Sequence, residues 1–181
     1  KLAWVEWANT AMPWDLNELK LAKFDEKANI INIVNLNNEY LKSTEKISFF
    51  NPVWSDNGDL YVAEDSSGWW NITQIKTDKD NQFITVSQNK WIIQAEIAFP
   101  QWVLGMSSFS CVGEDLVGAF AMDGIWNLAL FQNNGKIDPE VWNGVEVFII
   151  PGPLDVALDR AGYQTKTPSS GRRLTDPDTI R

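Results

Sequence analysis

The chain of 181 residues contains no histidine. That absence removes the Ser-His-Asp triad, His-ligated zinc and most general acid–base schemes, because each needs an imidazole that titrates or ligates near neutral pH. Cysteine is nearly absent as well. Cys111 stands alone, so no intrachain disulfide can form, and with no imidazole to activate it the thiol reads as a small buried hydrophobe. One thiol fits a reducing compartment, and the expectation is a cytoplasmic chain. No apolar run reaches the roughly 18 residues of a membrane helix. The opening KLAWVEWANT has neither the apolar core nor the small-residue cleavage site of a signal peptide, so neither a membrane nor an export route is expected.

Positive charge is scarce. With 15 Lys and Arg against 24 Asp and Glu the net charge is -9, which argues against nucleic acid and against an anionic membrane surface as partners. The one local basic cluster, Arg172-Arg173, sits in a Ser/Pro/Thr-rich segment and reads as a solvated tail. Phosphate loops and dinucleotide fingerprints are missing, so no cofactor is expected. A Gly-x-Ser-x-Gly elbow is missing too: GMSSFS (105–110) approaches it, but Phe109 replaces the second glycine.

Against these absences stand ten tryptophans in a chain that is 44% hydrophobic and 22% charged, a balance typical of a soluble globular domain. So much flat, amphipathic side chain is either stacked in a core or displayed for a ligand. Trp14, Trp70 and Trp126 recur every 56 positions, the mark of a repeat architecture.

The second copy is the clearest. NPVWS (51–55), DLYVAED (59–65), WWNITQIKT (69–77) and QFITVSQ (82–88) read as four short strands joined by the turn signals DNG, SSG and DKDN. After the connector NKWIIQAEIAF (89–99), the third copy offers a first strand and longer turn in PQWVLGMSSFS (100–110). EDLVGAFAM (114–122) and GIWNLALFQ (124–132) follow, with a fourth strand somewhere in 135–148. Leu60 precedes Trp70 by ten residues, as Leu116 precedes Trp126. In the first copy KLAWVEW (1–7), LNELKLAKF (16–24) and NIINIVNL (29–36) read as second, third and fourth strands; a first strand is absent.

Four-stranded antiparallel units at this period predict an all-β fold of β-propeller blades. The blades are expected near 1–46, 47–92 and 93–150, with 151–181 a tail or the start of a further blade. Propellers close with roughly four to eight blades. About three blades make an incomplete ring, so the expectation is a segment of a larger propeller or a chain completed by a partner, with self-association through uncovered blade faces.

A Trp at the head of each third strand can lie over the junction between blades, and the following Asn suits a turn edge where its amide bonds to backbone. The residues singled out for blade packing or ligand contact are Trp14, Trp54, Trp69, Trp70, Trp102 and Trp126. Trp69 must face away from Trp70, since side chains alternate along a strand, and Trp142 is also expected to be exposed. The carboxylates Glu64, Asp65, Glu114, Asp115 and Asp123 flank turns. A close pair could hydrolyse a glycosidic bond, but acidic residues beside turns usually cap backbone amides, and the spacing of a calcium loop is missing. No catalytic, cofactor or metal residue is therefore assigned. The Asn71-Ile72-Thr73 sequon lies at a strand start and reads as chance.

FNPVWSDNGDLYVAEDSSGWWNITQI (50–75) resembles a signature blade of the prolyl oligopeptidase family of serine peptidases, especially its acylaminoacyl and dipeptidyl peptidase-like branch. KLAWVEWANTAMPWDLNELKLA (1–22) resembles the preceding blade and FPQWVLGMSSFSCVGEDLVGAFAMDGIWNLALF (99–131) the following one. The resemblance implies a parent enzyme in which a propeller caps an α/β-hydrolase domain that carries the triad and admits only short or unfolded peptides. The implied role of this chain is part of that gate, inactive alone, with the hydrolase domain and peptides as partners. An arginine common after the Asp of the second strand is here Ser66, so the interblade ion pair it would make is not implied. A propeller scaffold for a protein partner and a Trp-based glycan-binding module are the alternatives.

Overall fold

The computed structural model describes residues 1–37, 46–77, 84–87, 90–102 and 104–138. Residues 151–181, Trp142 and Arg172-Arg173 lie outside the described residues. Every named element is a strand: β1 (Leu2–Glu6), β2 (Glu18–Phe24), β3 (Ile30–Asn35), β4 (Phe49–Trp54), β5 (Leu60–Glu64), β6 (Asn71–Thr77), β7 (Ile84–Ser87), β8 (Phe109–Val112), β9 (Asp115–Met122), β10 (Ile125–Phe131) and β11 (Ile137–Asp138). They form three antiparallel sheets, β1-β2-β3, β4-β5-β6-β7 and β8-β9-β10-β11, each paired in chain order. The fold is a partial all-β propeller, and among the described residues its ring is not closed.

The second sheet shows how the alternation builds the core. All of β5 is buried. Leu60 and Val62 point into a cluster with Leu19 and Leu21 of the first sheet, whereas Tyr61 and Ala63 point into one with Phe109, Leu116 and Phe131 of the third. A strand sandwiched on both faces is apolar wherever no hydrogen-bonding partner is built in, which is why LYVA (60–63) lacks the polar alternation of a solvated sheet and only Glu64 at its end is charged. The register repeats between sheets: Leu60 pairs with Ile75, and Leu116 with Phe131. Asp123 and Gly124 close the β9–β10 hairpin with φ of 52° and 78°, the left-handed pair that a two-residue turn with right-handed twist requires.

One strand lies elsewhere than expected. In the third copy the first strand is β8, Phe109–Val112, rather than residues near 100, and Trp102 falls in the connector before it. Pro100 cannot donate to a ladder and Gly105 has φ of 80°, so Gln101, Trp102 and Leu104 lie in a loop.

Two asparagines bind neighbouring sheets together. Buried Asn17, just before β2, donates from Nδ2 to the Phe49 carbonyl and accepts the Phe49 N–H at Oδ1, both at 2.8 Å. Asn71, the first residue of β6, does the same to Ile93: its Nδ2 donates to the carbonyl at 3.1 Å and its Oδ1 accepts the N–H at 2.8 Å. Each amide thus holds both backbone polar groups of one residue on the segment that leads to, or begins, the next sheet. The expectation that this Asn bonds backbone is met over a longer range than a turn edge. Because Asn71 is buried, the sequon at 71–73 is not open to glycosylation. Asn127 at the matching place in β10 bonds, among the described residues, only across two positions, to the Ile125 carbonyl.

Candidate functional site

Alternating turns divide the molecule into two ends. At the upper end lie the β1–β2 loop, the β5–β6 turn, the β9–β10 turn and the latter part of the β7–β8 connector, joined by the Ile97 N–H to Trp70 carbonyl bond and the Glu96–Ala121 bridge. The lower end carries the turns DEKAN (25–29), SDNGD (55–59), GE (113–114) and QNNGK (132–136), all hydrophilic, with exposed Phe24 and Ile30 flanking the first of them. The upper end is different. Trp7, Met12 and Leu16 are exposed in the first loop, Trp69 in the second, Trp102 and Leu104 in the connector, and Met122 and Ile125 at the third.

An open-mouthed cavity of about 330 Å³ sits at this upper end, lined by Trp14, Trp70, Glu96, Ala98, Phe99, Pro100 and Gln101. Three segments build it. Trp14 comes from the β1–β2 loop, Trp70 from the turn before β6, and the rest from the connector. The walls are fixed by backbone: Glu96 exchanges hydrogen bonds with Ala121 at 2.9 and 2.8 Å, and Ile97 donates to the Trp70 carbonyl at 2.9 Å. The Glu96 side chain turns back on the same wall, its Oε2 accepting the Trp70 N–H at 3.1 Å.

Among the tryptophans expected at a site, Trp14 and Trp70 line the cavity. Trp102, 74% exposed, stands against Trp14 with ring centroids 4.7 Å apart and planes at 59°. Trp126 backs the cavity wall edge-on through Phe99 at 5.8 Å. Trp69 is exposed and Trp70 half-buried; both stand in the turn just before β6 rather than in the strand expected to begin at 69. Trp54 belongs elsewhere: it packs on the cluster between the first two sheets, with the Lys1 ammonium 5.4 Å from its ring. Trp14 and Trp70, although 56 residues apart, do not hold equivalent positions. Asn17 rather than Asp15 makes the clamp that Asn71 makes, so the first loop is longer and carries Trp14 outward.

The sequence reasoning missed Trp91, which is 1% exposed between the second and third sheets and donates from Nε1 to the Gln132 carbonyl at 2.8 Å. Glu96 and Phe99 were missed with it. The signal was present in IIQAEIA (92–98): Ala95, Ile97 and half-buried Ile93 alternate with exposed Ile92, Gln94 and half-buried Glu96, a period of two inside a connector.

The turn carboxylates do not converge. Asp65 accepts the Ser48 N–H and Asp115 the Asn133 N–H, each at 2.8 Å, at opposite ends of the molecule. Glu64 is buried and accepts from the Ser66 N–H and the Thr73 hydroxyl at 2.7 and 3.1 Å. Burial pushes the Asp65 carboxyl above its ordinary value; the Ser48 N–H opposes this, and the charges of Glu64 and Glu96 add to it.

No family model and no curated protein matches the chain. Solved structures do. A Mycobacterium tuberculosis puromycin-hydrolyzing peptidase shares 25% identity at a TM-score of 0.63, covering 80% of this chain and 20% of its own. This chain is similar to the propeller portion of prolyl oligopeptidase-family peptidases. A puromycin hydrolase gives 24% identity, a TM-score of 0.62 and coverage of 75% and 19%. A serine-to-alanine mutant of puromycin hydrolase complexed with PGG gives 22%, 0.64, and coverage of 83% and 22%. The chain thus spans about one fifth of these relatives' length.

Proposed function

We propose that this chain is the non-catalytic propeller segment of a prolyl oligopeptidase-type serine peptidase, docking on the α/β-hydrolase domain of the same parent protein and restricting which peptides reach it. The observation that carries the reading is the contrast between the ends. An end that concentrates exposed Trp, Ile, Leu and Met while the opposite turns are hydrophilic is suited to cover by another apolar surface. The half-buried lone thiol supports a reducing, cytoplasmic setting. The exposed outer-strand residues Ile30, Ile31 and Ile33 support self-association of the isolated chain.

The test uses the longest natural protein that contains this chain, assayed with blocked acyl-peptide and dipeptidyl reporters and with a series of longer peptides. Activity should be abolished by a serine-directed inhibitor. Ile125→Asp combined with Trp102→Ser should loosen docking, so that kcat/KM for long peptides rises several-fold against that for the short reporters. Absence of inhibitor-sensitive peptidase activity would overturn the reading and favour a scaffold for a protein partner.

A further inference from the structure

We propose that the cavity formed by Trp14, Trp70, Phe99 and Glu96 is a binding site for an organic cation, a guanidinium or alkylammonium group carried on a side chain. The proposal stands apart from the peptidase reading, because it rests on the cavity alone. Aromatic faces attract cations through their negative quadrupole, most strongly where the cation is partly desolvated. Trp14 and Trp70 supply indole surface and Phe99 a ring, while Glu96 places a carboxylate in the same wall. No basic residue lines the cavity, and among the described residues no lysine or arginine pairs with Glu96.

The carboxylate is also pre-aimed. Its Oε2 accepts one N–H from Trp70, and its backbone is bridged to β9. A carboxylate offers about four acceptor positions, so it can hold the Trp70 amide and still receive a cationic donor. The volume of about 330 Å³ is at the small end for ligand pockets and suits one side-chain head with part of its stem. Gln101 contributes an amide that can donate or accept at the rim.

The test is calorimetric titration of the full-length protein that carries this chain. The probes are N-acetyl-arginine amide, the isosteric but neutral N-acetyl-citrulline amide, and a short arginine-containing peptide blocked at both ends. Blocking the termini leaves the side chain as the only cation. Arginine should bind at least about tenfold more tightly than citrulline, a difference of about 1.4 kcal/mol. Glu96→Gln keeps an acceptor for the Trp70 N–H while removing the charge, so it should cost arginine about the same factor and leave citrulline unmoved. Tighter binding of the peptide than of the amide would identify a polypeptide as the source, and equal binding a free small cation. Equal affinity for arginine and citrulline, arginine binding unchanged in Glu96→Gln, or no heat with any probe would overturn the proposal. Peptidase activity is not read in this experiment, so its failure leaves the peptidase reading where it stood.

Discussion

Replacing Gly118 with alanine tests whether the third sheet is packed as tightly as described. Gly118 lies in β9 opposite Phe109 of β8. A Cβ built there would stand 3.0 Å from Phe109 Cβ and 3.0 Å from Phe131 Cε2, with Phe131 Cδ2 at 3.5 Å. Carbon pairs are most comfortable at about 3.5 to 4.0 Å, so two contacts fall short by about half an ångström or more. Phe109 cannot yield, because its Cβ is fixed to a paired strand. The Phe131 ring is held edge-on by Phe120 at 6.3 Å and by Trp91 at 6.0 Å. Overpacking of this kind costs about 1–3 kcal/mol, while loss of glycine's freedom in the unfolded chain returns about 0.4–1 kcal/mol. The expected net loss is about 1–2 kcal/mol. Urea unfolding followed by tryptophan fluorescence should show a lower midpoint at unchanged slope. Phe131→Leu in the Gly118→Ala background should cost less than the two changes separately, since it frees the space the new methyl needs. Equal or greater stability of Gly118→Ala would refute the reasoning.

Other perturbations test separate parts of the structure. Asn71→Ala leaves the half-buried N–H and carbonyl of Ile93 without partners and should cost about 1–3 kcal/mol, whereas Asn127→Ala should stay within about 0.5 kcal/mol, as denaturation midpoints will show. Asp65 has a folded pKa above its ordinary 3.8, with burial as the main cause, so the folded state binds its proton more tightly than the unfolded state does. Stability should therefore fall as pH rises from that value through the raised one. Asp65→Asn keeps the acceptor for Ser48 and removes the charge, so thermal scans should show the step lost and stability at pH 7 no lower than wild type; a persistent step would sink the assignment. Burial pushes the Cys111 thiol up to about 11, so labelling by a thiolate-selective reagent at pH 8 should be much slower than for the unfolded chain.

How far the sequence could be read differs by element. The strands β5, β6, β9 and β10 were legible because alternation, β-branched residues and Gly-bearing turns all agreed on them. β8 was displaced because PQWVLG carries the apolar residues of a strand, although the structure spends Trp102 and Leu104 on an exposed end. Apolar character alone does not say whether a side chain faces a core or a partner. Trp91 escaped notice because its burial comes from lying between two sheets, which no local pattern records. The even Trp period pointed to the right architecture, yet Trp14 reaches the cavity from a longer loop and not from a matching register. Glu96 had no motif; a single carboxylate acquires meaning only when folding sets aromatic rings around it.

The asparagine clamps have a consequence for how such a chain can change over time. What Asn17 and Asn71 grip is the N–H and carbonyl of one residue, which are the same whatever side chain that residue bears. Spacing between neighbouring sheets is therefore specified in main-chain terms, and the gripped segments are free to drift in sequence without shifting the pitch. Substitutions at Phe49 or Ile93 alter packing volume, but only a change at the two asparagines removes the measure by which one sheet locates the next.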